Sequence, residues 1–394
     1  MTIRVLVLSF YYPPDLAAGS FRVEALVKAL LAEPCANVRV DVVTTQPNRY
    51  HSFGAAAAEF QECSRLTIRR IALPIHKNGL LDQARAFASY ALGVSRAIKG
   101  KDYDLVVASS SRLMTATLGA CVGFFTKTPL YLDIRDIFVD TLPELFPSRL
   151  GKIATWIFSR IERLTIGRAA RVNLISPGFL SYFSAHYPRL SFSTHTNGVD
   201  ELFFKKLPGK HGDADSEKLL KVVYAGNIGA GQGLHLILPA LAKRLEGVAH
   251  FCVIGAGGLL GHLQLALKNS DVSNVEVIAP VQRKDLLKFY QEADVLFLHL
   301  NSFKSFRRVI PSKLFEYAAT GKPILAGLAG YSARFTNTKI SNASVFEPCD
   351  VEGAIEALFE LSLEPVTREA FMNEYSRISI QKRMAMDVLS TLER

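Results

Sequence analysis

The chain has 394 residues, 49% apolar and 21% charged, a balance that excludes a disordered chain and allows two or three domains with cores of their own. Lysine and arginine number 46 against 36 acidic residues, a net charge of +10. Residues 1–200 hold 23 basic and 15 acidic side chains and residues 201–394 hold 23 and 21, so the excess lies in the front half, as suits a neighbouring anionic surface.

The apolar stretch Val5–Leu8 is too short for a signal peptide, and Tyr-Tyr-Pro-Pro follows it, so the chain opens on a buried strand. Strands are predicted at 3–8, 38–43, 66–72, 104–109, 129–133 and 171–175, with helices between them, among them 20–32, 79–99 and 112–125. A polar break at 196–218 follows. The alternation then restarts, with strands at 220–225, 249–254, 274–278, 294–298, 323–326 and 343–346. Helices are predicted at 233–245, 258–268, 284–291, 312–319 and 351–362, and a last helical stretch at 366–391. This pattern is α/β: two Rossmann-like, doubly wound parallel sheets over residues 1–198 and 199–365. The tail, 366–394, is expected to pack back on the first domain. Ligands of such sheets bind beyond the carboxyl ends of the strands, which makes the cleft between the two sheets the expected site. The two 21-residue stretches without charge, 222–242 and 247–267, are each cut by glycines and read as strand, turn and helix, not as membrane spans.

The first loop, residues 9–20, lacks the G-x-G-x-x-G of a dinucleotide fold. Gly19 and Ser20 stand at a helix start, which suits either an anion or a plain N-cap. Asp133 and Asp136 follow a predicted strand, as candidate acids or as an N-cap with a salt bridge to Arg135. Asp102-Tyr-Asp104 and Asp213-Ala-Asp215 spell D-x-D, yet one precedes a strand and the other sits in the polar break, so neither is expected to hold a metal. The nine histidines form no zinc pattern, the five cysteines form no C-x-x-C pair, and no cofactor is implied.

Between Arg149 and Arg171 stand six basic residues and one acid, Glu162. Leu150, Ile153, Ile157, Ile161 and Leu164 recur there at helical spacing. The stripe either packs on the front sheet, with the basic face in water, or lies on an anionic bilayer with Trp156 at the interface.

In the second half, Gly226, Gly229, Gly231 and Gly233 follow a strand and open a helix, and Gly255-Ala-Gly-Gly258 repeats the arrangement. Each suits close approach of backbone to a phosphate, or a tight turn without a ligand. In Ile310–Leu325, Pro311 stands near a helix start, Gly321 ends the helix, and Glu316 lies near its middle. A carboxylate there can accept both ribose hydroxyls, or it can pair with Lys313 or Thr320 on a surface helix.

Taken in order, the cluster at 224–233, Val-Ile-Gly-Ala-Gly at 253–257, Pro-Val-Gln-Arg-Lys-Asp-Leu at 280–286, Ala-Asp-Val-Leu at 293–296 and Pro-Ser-Lys-Leu-Phe-Glu-Tyr at 311–317 resemble the donor half of the retaining GT-B glycosyltransferases of the group-1, family-four class, above all its bacterial surface-polysaccharide members. Tyr-Tyr-Pro-Pro, Gly19-Ser20, Asp-Ile-Arg-Asp at 133–136 and Asn-Gly-Val-Asp at 197–200 extend the likeness over the front half.

The resemblance implies a GT-B fold and transfer of a hexose, N-acetylated or deoxy, from a UDP-linked donor to a polyprenyl-diphosphate-linked glycan, with retention and without a metal. Glu316 matches the second glutamate of the family's E-x7-E signature, which holds the ribose, whereas the first position holds Arg308. Asn227 and Gln232 stand where the family often has Arg and Lys, so Lys313, Arg283 and Arg308 become the cations expected at the diphosphate. Val281 and Arg283 match the corner where the base packs, Ser312 opens the Glu316 helix, Gly226 belongs to the phosphate loop, and Gly19 and Ser20 match the loop over the diphosphate. The partners implied are the nucleotide sugar, a lipid-linked acceptor and the inner face of the cytoplasmic membrane. A sugar-nucleotide epimerase of the same fold and a two-lobed binding protein are the alternatives. No nucleic-acid motif is present.

Overall fold

The computed structural model describes residues 2–15, 17–34, 36–48, 57–74, 80–110, 112–145, 148–203 and 219–393. The chain forms two compact units, Met1–Asn197 with Arg377–Arg394, and Gly198–Ser376.

The first unit runs β1 (Thr2–Ser9), α1 (Ala18–Leu31), β2 (Asn37–Thr45), β3 (Phe60–Cys63), β4 (Leu66–Ile71), α2 (Leu80–Ile98), β5 (Leu105–Ser110), α3 (Leu113–Thr126), β6 (Leu130–Ile134), α4 (Phe138–Leu145), α5 (Arg149–Ile166), β7 (Arg171–Leu174), α6 (Leu180–His186) and β8 (Phe192–Thr194). Its sheet has the order β3-β4-β2-β1-β5-β6-β7-β8. Val5 pairs in parallel with Val40 on one side and Leu105 on the other. Val5 to Leu8 have no exposed surface, as continuous apolar runs require in a sheet covered on both faces. Only β3 runs antiparallel, against β4.

The second unit runs β9 (Leu220–Asn227), α7 (Leu234–Arg244), β10 (Ala249–Ala256), α8 (Leu260–Asn269), β11 (Val275–Ile278), α9 (Arg283–Glu292), β12 (Val295–His299), α10 (Ser312–Thr320), β13 (Ile324–Gly327), α11 (Tyr331–Lys339), β14 (Ala343–Phe346), α12 (Val351–Glu360) and α13 (Glu369–Glu374). Its sheet, β11-β10-β9-β12-β13-β14, is parallel throughout. All twelve predicted strands are present, with ends within two residues. The sequence reading missed β3 and β8, short edge strands without an apolar run, and α11, whose polar sequence carries no apolar stripe. Most of the polar break, with Asp213 and Asp215, lies outside the described residues.

The C-terminal tail divides at Arg377, not at residue 366. α13 stays with the second unit because Phe371 and Tyr375 pack on Phe315, with ring centroids 6.1 and 5.5 Å away. The final helix, α14 (Arg377–Leu389), belongs to the first unit, where Met384, Ala385 and Val388 join the core around Val5 and Val27. Asp387 anchors it by accepting from Tyr131 Oη at 2.8 Å and pairing with Arg171 and His195.

Burial pushes the Asp387 carboxyl up, but hydrogen bonds from His195, Tyr131 and Arg171 outweigh it and hold the group well below the ordinary carboxylate range. The ionised carboxylate therefore contributes stability above about pH 4, and that contribution is lost as pH falls toward the lower folded value. Asp387→Asn should lower unfolding stability by about 1–3 kcal/mol at neutral pH and flatten the acid limb of urea-denaturation midpoints below about pH 4.

Candidate active site

In each sheet the strand order reverses once, between β1 and β5 and between β9 and β12. Loops that leave the carboxyl ends at such a reversal diverge and open a crevice.

In the second unit one wall of that crevice is the glycine loop after β9. Gly233, at φ 61°, turns the chain into α7. A Cβ on Gly255 would overlap the carbonyl oxygen of Gly226, so glycine is needed where β9 and β10 end side by side. The loop is fastened internally and to the end of β12. Asn227 Nδ2 donates to Gln232 Oε1 at 2.8 Å, Asn301 N–H donates to Gly231 O at 2.8 Å, and Asn301 Nδ2 donates to Ala230 O at 2.9 Å.

His299 supports the same loop. Its Nε2 accepts the Cys349 N–H at 2.9 Å, so the proton sits on Nδ1, which donates to Gln232 O at 2.6 Å. Burial pulls the imidazole pKa down to about 4.

Glu316 lies on α10, where Leu314 to Thr320 are all buried, so this is not the surface helix of the plainer expectation. The Lys313 contact is present, with Nζ 2.7 Å from Glu316 Oε2 and 3.2 Å from Tyr290 Oη. Thr320 turns away and donates to Tyr317 O. Arg283, in the first turn of α9, brings Nη2 to 3.6 Å from Glu316 Oε1, pairs with Asp200 and lies over the Phe203 ring at 5.2 Å. Arg283, Lys313 and Glu316 are thus brought together, with Asp200 and Tyr290 as members the sequence reading did not single out as site residues. The signal for Asp200 was in hand, since Asn-Gly-Val-Asp was noted as a motif. Val281 packs half-buried on the α10 core. Ser312 is the half-buried first residue of α10, and Arg308 ends the 3-10 turn before it.

In the first unit Asp133 differs from expectation. Both its oxygens accept from Arg22, Nε to Oδ2 and Nη2 to Oδ1 at 2.9 Å each. Ser109 Oγ and Asn173 Nδ2 add bonds of 3.1 and 2.7 Å. Burial raises its pKa, but the Arg22 charge and hydrogen bonds reverse this and keep it ionised. A buried carboxylate with four donors has a structural part, joining the ends of β5, β6 and β7 to α1. Asp136 is exposed in the loop after β6.

Arg135, between them, lies against the first turn of α1, where a Cβ on Gly19 would overlap its guanidinium. The Ser20 hydroxyl beside it is buried without a hydrogen-bond partner. A helix start, a guanidinium and a spare hydroxyl make this turn receptive to an anion. Arg112, which the sequence reading missed, stands where β5 gives way to α3 at the strand-order reversal. Its guanidinium is 4.3 Å from the Phe10 ring and donates to Tyr11 Oη and Gln83 Oε1, both neutral.

Two family patterns match the chain, that of the glycosyl transferases group 1 over residues 210–377 and that of the glycosyl transferase 4-like domain over residues 19–190. Each pattern spans less than half of the chain, one in each unit. WcaI of Escherichia coli (strain K12), named as a colanic acid biosynthesis glycosyl transferase, is 23% identical over 220 residues. That match covers 55% of this chain and about half (53%) of the relative.

Sucrose-phosphate synthase from Thermosynechococcus elongatus has a similar structure, with a TM-score of 0.68 at 12% identity over 99% of this chain and 94% of that one. Anabaena HepE, solved with UDP and glucose, gives 0.67 at 15% identity over 98% of this chain and all of the other (100%). WaaG, a glycosyltransferase involved in lipopolysaccharide biosynthesis, gives 0.63 at 16% identity over 99% and 97%. These likenesses establish the GT-B fold.

The glycine loop after β9 depends on a neutral His299, which gives a pH signature. The unfolded imidazole titrates near pH 6.5 and the folded one near 4, so between those values the unfolded chain binds more protons. Stability should fall as pH drops through that window, by up to about 3 kcal/mol, and His299→Gln should remove most of this dependence in denaturant titrations.

Proposed function

We propose that this chain transfers a hexosyl group from a UDP-sugar to a polyprenyl-diphosphate-linked glycan, with retention and without a metal, during the building of a surface polysaccharide. The observation that carries the donor side is the buried Glu316 carboxylate between Lys313 and Arg283, near the strand-order reversal of the second unit. The UDP bound by HepE and the naming of WcaI support the nucleotide and the polysaccharide.

Ribose hydroxyls would take the Glu316 oxygens that Lys313 and Arg283 now hold. The two cations would then turn to the diphosphate, while the ribose hydroxyls satisfy the Glu316 carboxylate by hydrogen bonds. Arg308 adds positive charge where the family's signature has an acid. The glycine loop offers backbone N–H groups in place of the cations that Asn227 and Gln232 do not supply.

Transfer breaks the bond from the sugar's anomeric carbon to the β-phosphate oxygen and forms one to the acceptor hydroxyl oxygen on the same face. Positive charge builds on the sugar and negative charge on the leaving phosphate, which takes the acceptor's proton. Lysine, arginine and helix N-termini stabilise that phosphate in place of a metal. The Gly19–Ser20–Arg135 turn suits a phosphate-bearing reactant. Asp136 is the acid in the first unit exposed to an acceptor, and Arg112, held by neutral partners, suits an acceptor's diphosphate. An acceptor on a polyprenyl chain places the work at the inner face of the cytoplasmic membrane.

Calorimetric titration with UDP, GDP and ADP tests the donor reading. UDP should bind selectively, and Glu316→Ala should weaken it by about 2–4 kcal/mol with the folded state retained. Unchanged affinity would return Glu316 to a structural role. Acceptor-dependent release of UDP separates transfer from epimerisation. Arg112→Ala should raise the acceptor KM by about tenfold or more, the loss of a charged hydrogen bond, with the donor KM unchanged. A shift in donor KM alone would exclude Arg112 from acceptor recognition.

A further inference from the structure

The apolar stripe of α5 does not pack on the sheet. Leu150 is 78% exposed and Leu164 71%, and Ile153, Trp156 and Ile157 are exposed between them. The remaining exposed residues of the helix are Arg149, Lys152, Arg160 and Arg163, so every fully exposed side chain on it is apolar or basic. Its one acid, Glu162, points inward and accepts hydrogen bonds from Tyr182 and Tyr187 at 2.9 Å each.

The end of α3, which packs beside α5, extends the surface. Phe125 is 81% exposed there and Phe124 is also exposed. Arg168, just past α5, lies over the Phe124 ring at 4.2 Å, and together with Lys127 and Leu130 these residues line a recess.

We infer that this face, α5 with the end of α3, is the surface by which the chain docks on an anionic phospholipid bilayer. Apolar side chains flanked by guanidinium and ammonium groups match the two layers they would meet, acyl chains and phosphate headgroups. The Phe124–Lys127–Arg168 recess is suited to one headgroup phosphate. Charge argues against a second copy of the chain as the occupant, because two such faces would bring arginine against arginine. The inference deepens the proposed function by giving the lipid-linked acceptor a surface to be met on, and it does not depend on which sugar is moved.

The test is sedimentation of the full chain with vesicles of phosphatidylcholine alone and of phosphatidylcholine mixed equally with phosphatidylglycerol. Binding should require phosphatidylglycerol and weaken at high salt. Arg160→Glu with Arg163→Glu, and separately Leu150→Ser with Ile153→Ser, should each reduce the partition about tenfold or more, since each basic group near an anionic surface contributes about a factor of five. Lys243→Glu with Lys268→Glu, the same charge change in the second unit, should leave it unchanged.

All substituted side chains are exposed, and equal melting temperatures would confirm intact folds. Absence of binding to the mixed vesicles, equal binding to neutral ones, or undiminished binding by both patch variants would overturn the inference. So would a lipid-free dimer that the patch substitutions dissociate. UDP titration of the same samples keeps the two readings apart. Vesicle binding without UDP binding would remove the proposed transfer and leave the docking surface, and the reverse result would do the opposite.

Discussion

A parallel sheet whose strand order reverses leaves diverging loops at one point, and polar backbone exposed there must find partners. Both units of this chain meet that constraint with side chains from the strands next to the reversal. In the second unit Asn301 and His299 hold the glycine loop through its carbonyl oxygens. Fixing the loop through its carbonyls consumes none of its N–H groups, of which those of Ile228, Gln232 and Gly233 bond to other carbonyls, and an imidazole held neutral by burial can do this without bringing a competing charge. In the first unit Phe10, Tyr11 and Arg112 meet across the reversal. The site follows from the topology, and the chemistry follows from which residues close it.

Two buried carboxylates show how similar residues take different parts. Asp133 accepts four hydrogen bonds, two from one guanidinium, and has nothing left for a ligand. Removing either member of that pair would strand a charge in the core. Glu316 is also buried, yet Lys313, which bonds it, is partly exposed and mobile in principle about a four-carbon stem, while Arg283 stands farther off and keeps Asp200 as a second partner. A carboxylate whose cations can be drawn away by an incoming diphosphate can exchange partners, whereas one locked by four fixed donors cannot.

The strands were legible in the sequence because most are short apolar runs, the central ones such as β1 and β5 buried on both faces, and the Glu316 helix because proline and glycine mark its ends. The short edge strands β3 and β8 carry no such signal. The part played by Asp133 was not legible, since Arg22 lies 111 residues away and the reading offered Arg135 as its partner instead. Arg112 escaped for a related reason. Nothing near it in sequence marks it as functional, and its meaning arises only when the sheet brings Phe10 and Tyr11 beside it. The division of the tail at Arg377 was hidden too, because α13 and α14 read as one helical stretch until Phe371 and Tyr375 are seen packed on Phe315.

The orientation of α5 was the feature on which the sequence stood undecided, and Glu162 explains how the structure decides it. An amphipathic helix ordinarily turns its apolar stripe inward and its charges out. Here the inward face carries a glutamate whose burial raises its pKa, with two tyrosine hydroxyls supplying the hydrogen bonds that water would otherwise give. Burying an acid costs stability even when it is bonded, and leaving Leu150, Ile153 and Leu164 in water forgoes the stabilisation their burial would give. Both costs fall on one helix and both push its outer surface the same way, toward apolar and positive. A helix that only covered the sheet would gain from the reverse arrangement. One that meets a layer of phosphate above acyl chains recovers on contact what it forgoes in solution.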